Sequence, residues 1–204
     1  MTRLFPFLLL PLAAIAVVPS DAGASTSVAL SVRELASTSD AIVRVTQIAK
    51  ASAWEDGRIV TTSKVRVDRV VAGAPPGNEL SIRTLGGVVG EIGQYVEGEA
   101  DLAPGEQAVL FVAPLRAATG TTTMRVVGRA QGRWSIARDS NAPDAPNGRE
   151  IVRIRAPGRL VERRGEGGLG TVRATARLAA SLDGATLDEA SSEAAREWSV
   201  SHAR

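Results

Sequence analysis

The sequence predicts a mainly β protein: a small closed barrel of five or more strands, with a short N-terminal helix and a C-terminal helix. Three observations carry that expectation. Two long segments alternate apolar and polar residues with a turn between them. A fully apolar run, Ala108 to Val112, has no polar face and so predicts a central strand covered on both sides. Between them lies the glycine-rich stretch Thr84 to Gly98, with Gly86, Gly87, Gly90 and Gly93 set among valine and isoleucine. Glycine allows positive φ and close backbone approach, so this stretch predicts a packed corner where the sheet folds over.

The first residues precede that fold. Arg3 is followed by an apolar run from Leu4 to Val18, then by Ala22-Gly23-Ala24. This layout predicts a secretory signal peptide over residues 1–24, cleaved after Ala24, and export to the periplasm or the medium. Pro6 and Pro11 interrupt the run, which falls short of the roughly 20 residues of a spanning helix. The expected organisation is then a β-barrel domain over 25–160, a flexible linker over 161–185 and a helix over 186–200 packing on the barrel.

Val28 to Ser39 predicts a short helix, with Ser31 and Glu34 forming a capping box. Ala41 to Trp54 is the first long strand. Val43, Val45, Ala49, Ala51 and Ala53 are expected on its buried face, with Arg44, Thr46, Lys50 and Ser52 on the wet one. Asp56-Gly57 signals a hairpin turn into a strand over Ile59 to Val71. Leu80, Ile82 and Thr84 alternate against Ser81 and Arg83. Met124 to Val127 and Trp134 to Ala137 predict two further strands, and Ile151 and Ile154 a late one. Asp139 to Gly148 and Gly165 to Gly170 predict mobile loops. Thr186 caps the last helix, with Leu187, Ala190, Ala194 and Trp198 on its buried side.

Several activities are excluded by composition. The chain has no cysteine, hence no disulfide, thiol nucleophile or zinc–thiolate site. Its one histidine, His202, stands at the C-terminal end, and no Gly-x-Ser-x-Gly elbow is present. Gly87-x-x-Gly90-x-x-Gly93 lacks the spacing of a phosphate cradle. The formal net charge of +2 argues for neither a nucleic-acid nor a membrane partner. No cofactor or metal is expected.

The segments Ser39-Asp40-Ala41-Ile42-Val43, Val67-Asp68-Arg69-Val70-Val71-Ala72-Gly73 and Gly105-Glu106-Gln107-Ala108-Val109-Leu110-Phe111-Val112 resemble the netrin-like modules. These include the inhibitory domain of the tissue inhibitors of metalloproteinases. The resemblance spans residues 37–137 and implies an OB-like barrel with terminal helices. The inhibitors reach their target zinc through an amino-terminal cysteine, which this chain lacks, so no functional residue carries over. The chain also resembles exported bacterial proteins without an assigned activity.

The functional expectation is an exported, non-catalytic module that binds a protein or glycan. Trp54 and Tyr95 are the candidate contacts, beside Gly86 and Gly87 at the corner. One alternative is an enzyme using Glu97, Glu99 and Asp101, which share a face if extended, alone or with a metal. Asp139, Asn141 and Asp144 are a weaker oxygen cluster of the same kind. Another is a binder of anionic polymers through Arg149, Arg153, Arg155, Arg159, Arg163, Arg164, Arg173 and Arg177.

Overall fold

The computed structural model describes residues 26–115, 123–139, 148–155, 159–161 and 178–203. The expected signal peptide, the interior of the 139–148 loop, the Gly165 to Gly170 stretch and Arg163, Arg164, Arg173 and Arg177 lie outside them. The elements in chain order begin with β1 (Thr26–Val28), α1 (Val32–Ser37), β2 (Ala41–Glu55), β3 (Arg58–Gly73) and β4 (Glu79–Leu85). Then come β5 (Gly87–Val89), β6 (Ile92–Gln94), β7 (Gln107–Leu115), β8 (Thr123–Val126) and β9 (Arg133–Asp139). The last are β10 (Arg149–Ile154), β11 (Arg159–Val161) and α2 (Leu187–His202).

The protein is mainly β, built on one sheet in the order β10-β9-β7-β2-β3-β4-β8. A further pairing of β7 with β8 closes β2, β3, β4, β8 and β7 into a ring. The β4–β8 junction is parallel, at Ile82↔Met124, and the other ring pairings are antiparallel. β9 and β10 extend the sheet past the ring from β7. No helix among the described residues is long and apolar enough to cross a membrane.

β7 explains why its sequence has no polar face. Ala108, Leu110 and Val112 point into the ring, against Val43, Val45, Val65, Leu80, Ile82 and Met124. Val109 and Phe111 point the other way, against Leu35 of α1, Trp134, Val152, and Ala190 and Ala194 of α2. Both surfaces are removed from water, so alternation has nothing to separate. The two helices share this outer core. Arg33 donates to Glu197 at 2.7 Å, and the Trp198 indole donates to the Ser39 carbonyl at 3.1 Å.

α1 is shorter than the expected Val28 to Ser39 segment and follows a strand. The Ser31 hydroxyl accepts from the Glu34 amide at 3.2 Å, and the Glu34 carboxylate accepts from the Ser31 amide at 2.8 Å. Losing an N-cap side chain costs about 1 kcal/mol. Ser31→Ala is therefore expected to lower stability by about that amount in urea titration, and no change would show that the outer core alone sets the helix start.

Three sequence expectations are revised. First, β2 carries an extra residue. Gln47 pairs with Val65 and Ala49 with Lys64, leaving Ile48 unpaired as a bulge. A bulge reverses the in–out parity of everything beyond it. Val43, Val45 and Gln47 are buried as the alternation requires, but Ala49, Ala51 and Ala53 are exposed. Lys50 and Ser52 take the inward side instead. Second, the Thr84 to Gly98 stretch does not fold the main sheet over. It forms its own hairpin, β5–β6, and closure of the ring falls to β7 and β8. Third, the expected linker over 161–185 does not extend to its predicted end. Leu178 bridges Ser31, and Ala179 and Leu182 are fully buried in the outer core. Residues 184–185 also cover the outer edge of β10: the Val152 amide donates to the Ala185 carbonyl at 2.9 Å, and the Gly184 amide donates to the Val152 carbonyl at 2.9 Å. A buried strand edge needs such partners.

Candidate functional site

The glycines of the middle stretch let one backbone lie against another sheet. Gly87 has φ of 134°, and a Cβ there would stand 2.2 Å from Thr61 Oγ1 and 2.4 Å from Ser52 Oγ. A Cβ on Gly86 would stand 2.7 Å from the Gln94 carbonyl. The β5–β6 hairpin is thus seated on the β2–β3 ribbon beyond the bulge. Beneath it opens a groove of about 1280 Å³, bounded by the ribbon, the hairpin, the 95–106 loop and the inner face of β9 and β10.

Hydroxyls and amides line one part of the groove. Thr61 Oγ1 donates to the Gly86 carbonyl at 2.5 Å. Its single proton being used, the 2.8 Å contact with Ser52 Oγ has Ser52 as donor. Ser52 then retains lone pairs for a ligand. Gln94 Oε1 accepts from the Ile59 amide at 2.7 Å, which leaves its NH₂ group as a donor. The bulge brings Ser52 here, since a regular strand would turn it away.

Ion pairs hold the loop. Lys50 bridges the Asp101 carboxylate and the Leu102 carbonyl. Arg129 meets Glu99 at 3.3 Å. Glu106 is the anchor. It pairs with Arg133, accepts from Ser135 Oγ at 2.7 Å and accepts from the Ala103 amide at 2.8 Å. The Arg133 and Glu106 side chains are 10% and 17% exposed, so this pair is largely screened from water.

The predicted site residues separate here. Tyr95, Gly86 and Gly87 line the groove, and Tyr95 is 88% exposed at its lip. Trp54 is half exposed at the end of β2, outside the groove lining. Glu97, Glu99 and Asp101 all border the groove, but Glu99 and Asp101 hold different cations. Among the described residues, no three carboxylate or imidazole side chains gather as metal ligands. Of the arginine-rich region, Arg153 and Arg155 stand on the groove wall.

Glu106, Arg133, Ser52 and Thr61 were not singled out by sequence. The detectable signal was Ile48, an apolar residue out of phase with Val43 and Val45, which marks the bulge. Arg133, immediately before a buried tryptophan, carried no signal separating it from a surface charge. Neither a protein-family model nor a curated protein matches the chain.

Proposed function

We propose that this is an exported, non-catalytic binding module with an OB-like barrel, whose groove beneath the β5–β6 hairpin takes a carbohydrate chain. Export is inferred from the apolar leader and small-residue cleavage site over residues 1–24. The barrel reading is supported by the five-strand ring with one parallel junction, a pattern compatible with a partly open Greek-key barrel. Its terminal helices pack together on one side.

The observation that carries the binding reading is the combination within one groove of an exposed tyrosine ring and free hydrogen-bonding groups on Ser52 and Gln94. An aromatic ring offers a flat apolar surface with little conformational entropy to lose. Hydroxyls and amides match the hydroxyl-rich edge of a sugar. The alternative of an enzyme would need at least two of Glu97, Glu99 and Asp101 free and facing each other. Two of them are instead committed to separate cations. A protein partner is the second reading, favoured by Val88 and Ile92, which are exposed on the hairpin near Tyr95 in the chain.

The test is calorimetric titration of residues 25–204 with a panel of oligosaccharides. Tyr95→Ala is expected to weaken binding about tenfold, as loss of an aromatic anchor does, while thermal stability stays unchanged. Binding by no oligosaccharide, or equal binding by the variant, would overturn the reading.

A further inference from the structure

The groove wall made by β9 and β10 concentrates positive charge. Trp134, Val152 and Ile154 face the outer core, so Arg133, Arg153 and Arg155 face the groove by strand alternation. In the β9–β10 ladder Arg153 pairs with Ser135 and Ile154 with Trp134. The ladder ends there, and the same register continued by one residue would set Arg155 opposite Arg133. Like charges opposite one another on an antiparallel pair repel. Three guanidinium groups on one face therefore need anions.

The protein supplies them incompletely. Arg133 has Glu106, yet its Nε is buried without a hydrogen-bond partner. Arg153 reaches Asp183 only at 3.8 Å, with its side chain 54% exposed. Arg155 makes no ion pair among the described residues. The groove carboxylates Glu99, Asp101 and Glu106 are each engaged by a cation, while Glu97 also lines the groove and makes no ion pair among the described residues. Arg155 and the exposed part of Arg153 face the open groove.

We propose that the chain bound in this groove is an acidic oligosaccharide whose sugar carboxylate sits between Arg153 and Arg155. This rests on the carbohydrate reading above. Guanidinium groups match carboxylate oxygens through paired, charge-assisted hydrogen bonds. Arg133, fixed by Glu106 and Ser135, forms the rigid positive wall behind them. The free acceptor of Ser52 and the free amide donor of Gln94, elsewhere along the same groove, favour a uronic-acid sugar over an acidic peptide.

The experiment compares three probes by titration calorimetry: oligogalacturonate, the same oligomer fully methyl-esterified, and a neutral glucan oligomer. The acidic oligomer is expected to bind at least about tenfold more tightly than its ester, since esterification removes the charge from the hydrogen bonds. Arg155→Gln is expected to abolish that preference by weakening binding of the acid towards that of the ester. Arg153→Gln, also exposed, provides the same readout should Arg155→Gln fold poorly, as judged by circular dichroism. Equal binding of acid and ester, or an undiminished preference in both variants, would overturn the inference while leaving the carbohydrate reading intact. Binding of none of the three probes would overturn both.

Discussion

Replacing Phe111 with alanine is expected to cost about 3–5 kcal/mol of unfolding free energy, the largest effect of any single side-chain truncation considered for this fold. Phe111 is fully buried on the outer face of β7 and meets Trp134 edge-on, with ring centroids 4.7 Å apart. Its neighbours come from the sheet and from both helices: Ile42, Val109, Leu35 and Ala190 belong to the same cluster. Truncation removes the apolar area and leaves a cavity that elements fixed by ladder hydrogen bonds cannot collapse to fill. The measurement is a urea titration, reading the midpoint at constant slope. The lost contacts lie on the helix side, so the loss of helical signal should coincide with that of sheet. A cost under about 1 kcal/mol, far below the range for such truncations, would show that the helices do not form one core with the sheet.

Replacing Glu106 with alanine is expected to cost about 3 kcal/mol, because removing one partner of a buried pair strands the other charge. Glu106 serves Arg133, Ser135 and the Ala103 amide at once. Its loss leaves Arg133 on the groove wall with no carboxylate. Glu106→Gln keeps a single carbonyl acceptor, for either the Arg133–Ser135 side or the Ala103 amide, because these donors use different carboxylate oxygens. It is expected to cost about 1 kcal/mol less than the alanine variant, the worth of a retained hydrogen bond. Thermal unfolding of the two variants side by side measures the difference. Raised salt should narrow it only slightly, because partly buried pairs are screened less than exposed ones. Equal stability of the alanine variant and the parent would show that the pair is a surface contact and that the 95–106 loop is held by something else.

The groove depends on both residues differently. Phe111 fixes the sheet from outside the ring. Glu106 ties the loop that ends at β7 to the wall of β9, and so sets the groove's width. A chain bound as proposed would meet a rigid wall on one side and the glycine-seated hairpin on the other.

Much of the fold was legible in the residues. Alternation located Leu80, Ile82 and Thr84 on one face, and they are buried as expected. The unbroken apolar run located β7, and Thr186 located the start of α2, where its hydroxyl accepts from the Glu189 amide. The positive φ of Asp56 and Gly57 follows from the Asp-Gly turn between two long strands. These features are local: each follows from a few neighbouring side chains and from backbone sterics. Of the residues lining the groove, Tyr95, Gly86 and Gly87 belong to the stretch that the glycine spacing marked.

The groove itself was decided elsewhere. One unpaired residue, Ile48, reverses the faces of Ser52 and Lys50, and no local preference states which register the partner strand will choose. The meeting of Glu106 with Arg133, and the pairing of Arg153 with Ser135, join residues far apart in sequence through the β7–β9–β10 ladders. Periodicity and capping, which act within a few residues, were enough to locate the long strands, β7 and both helices, and to mark the buried side of β2 as far as the bulge. Which charges face one another, which face the far half of β2 buries and where the sheet closes emerged in the folded molecule, because they depend on pairing partners distant in the chain.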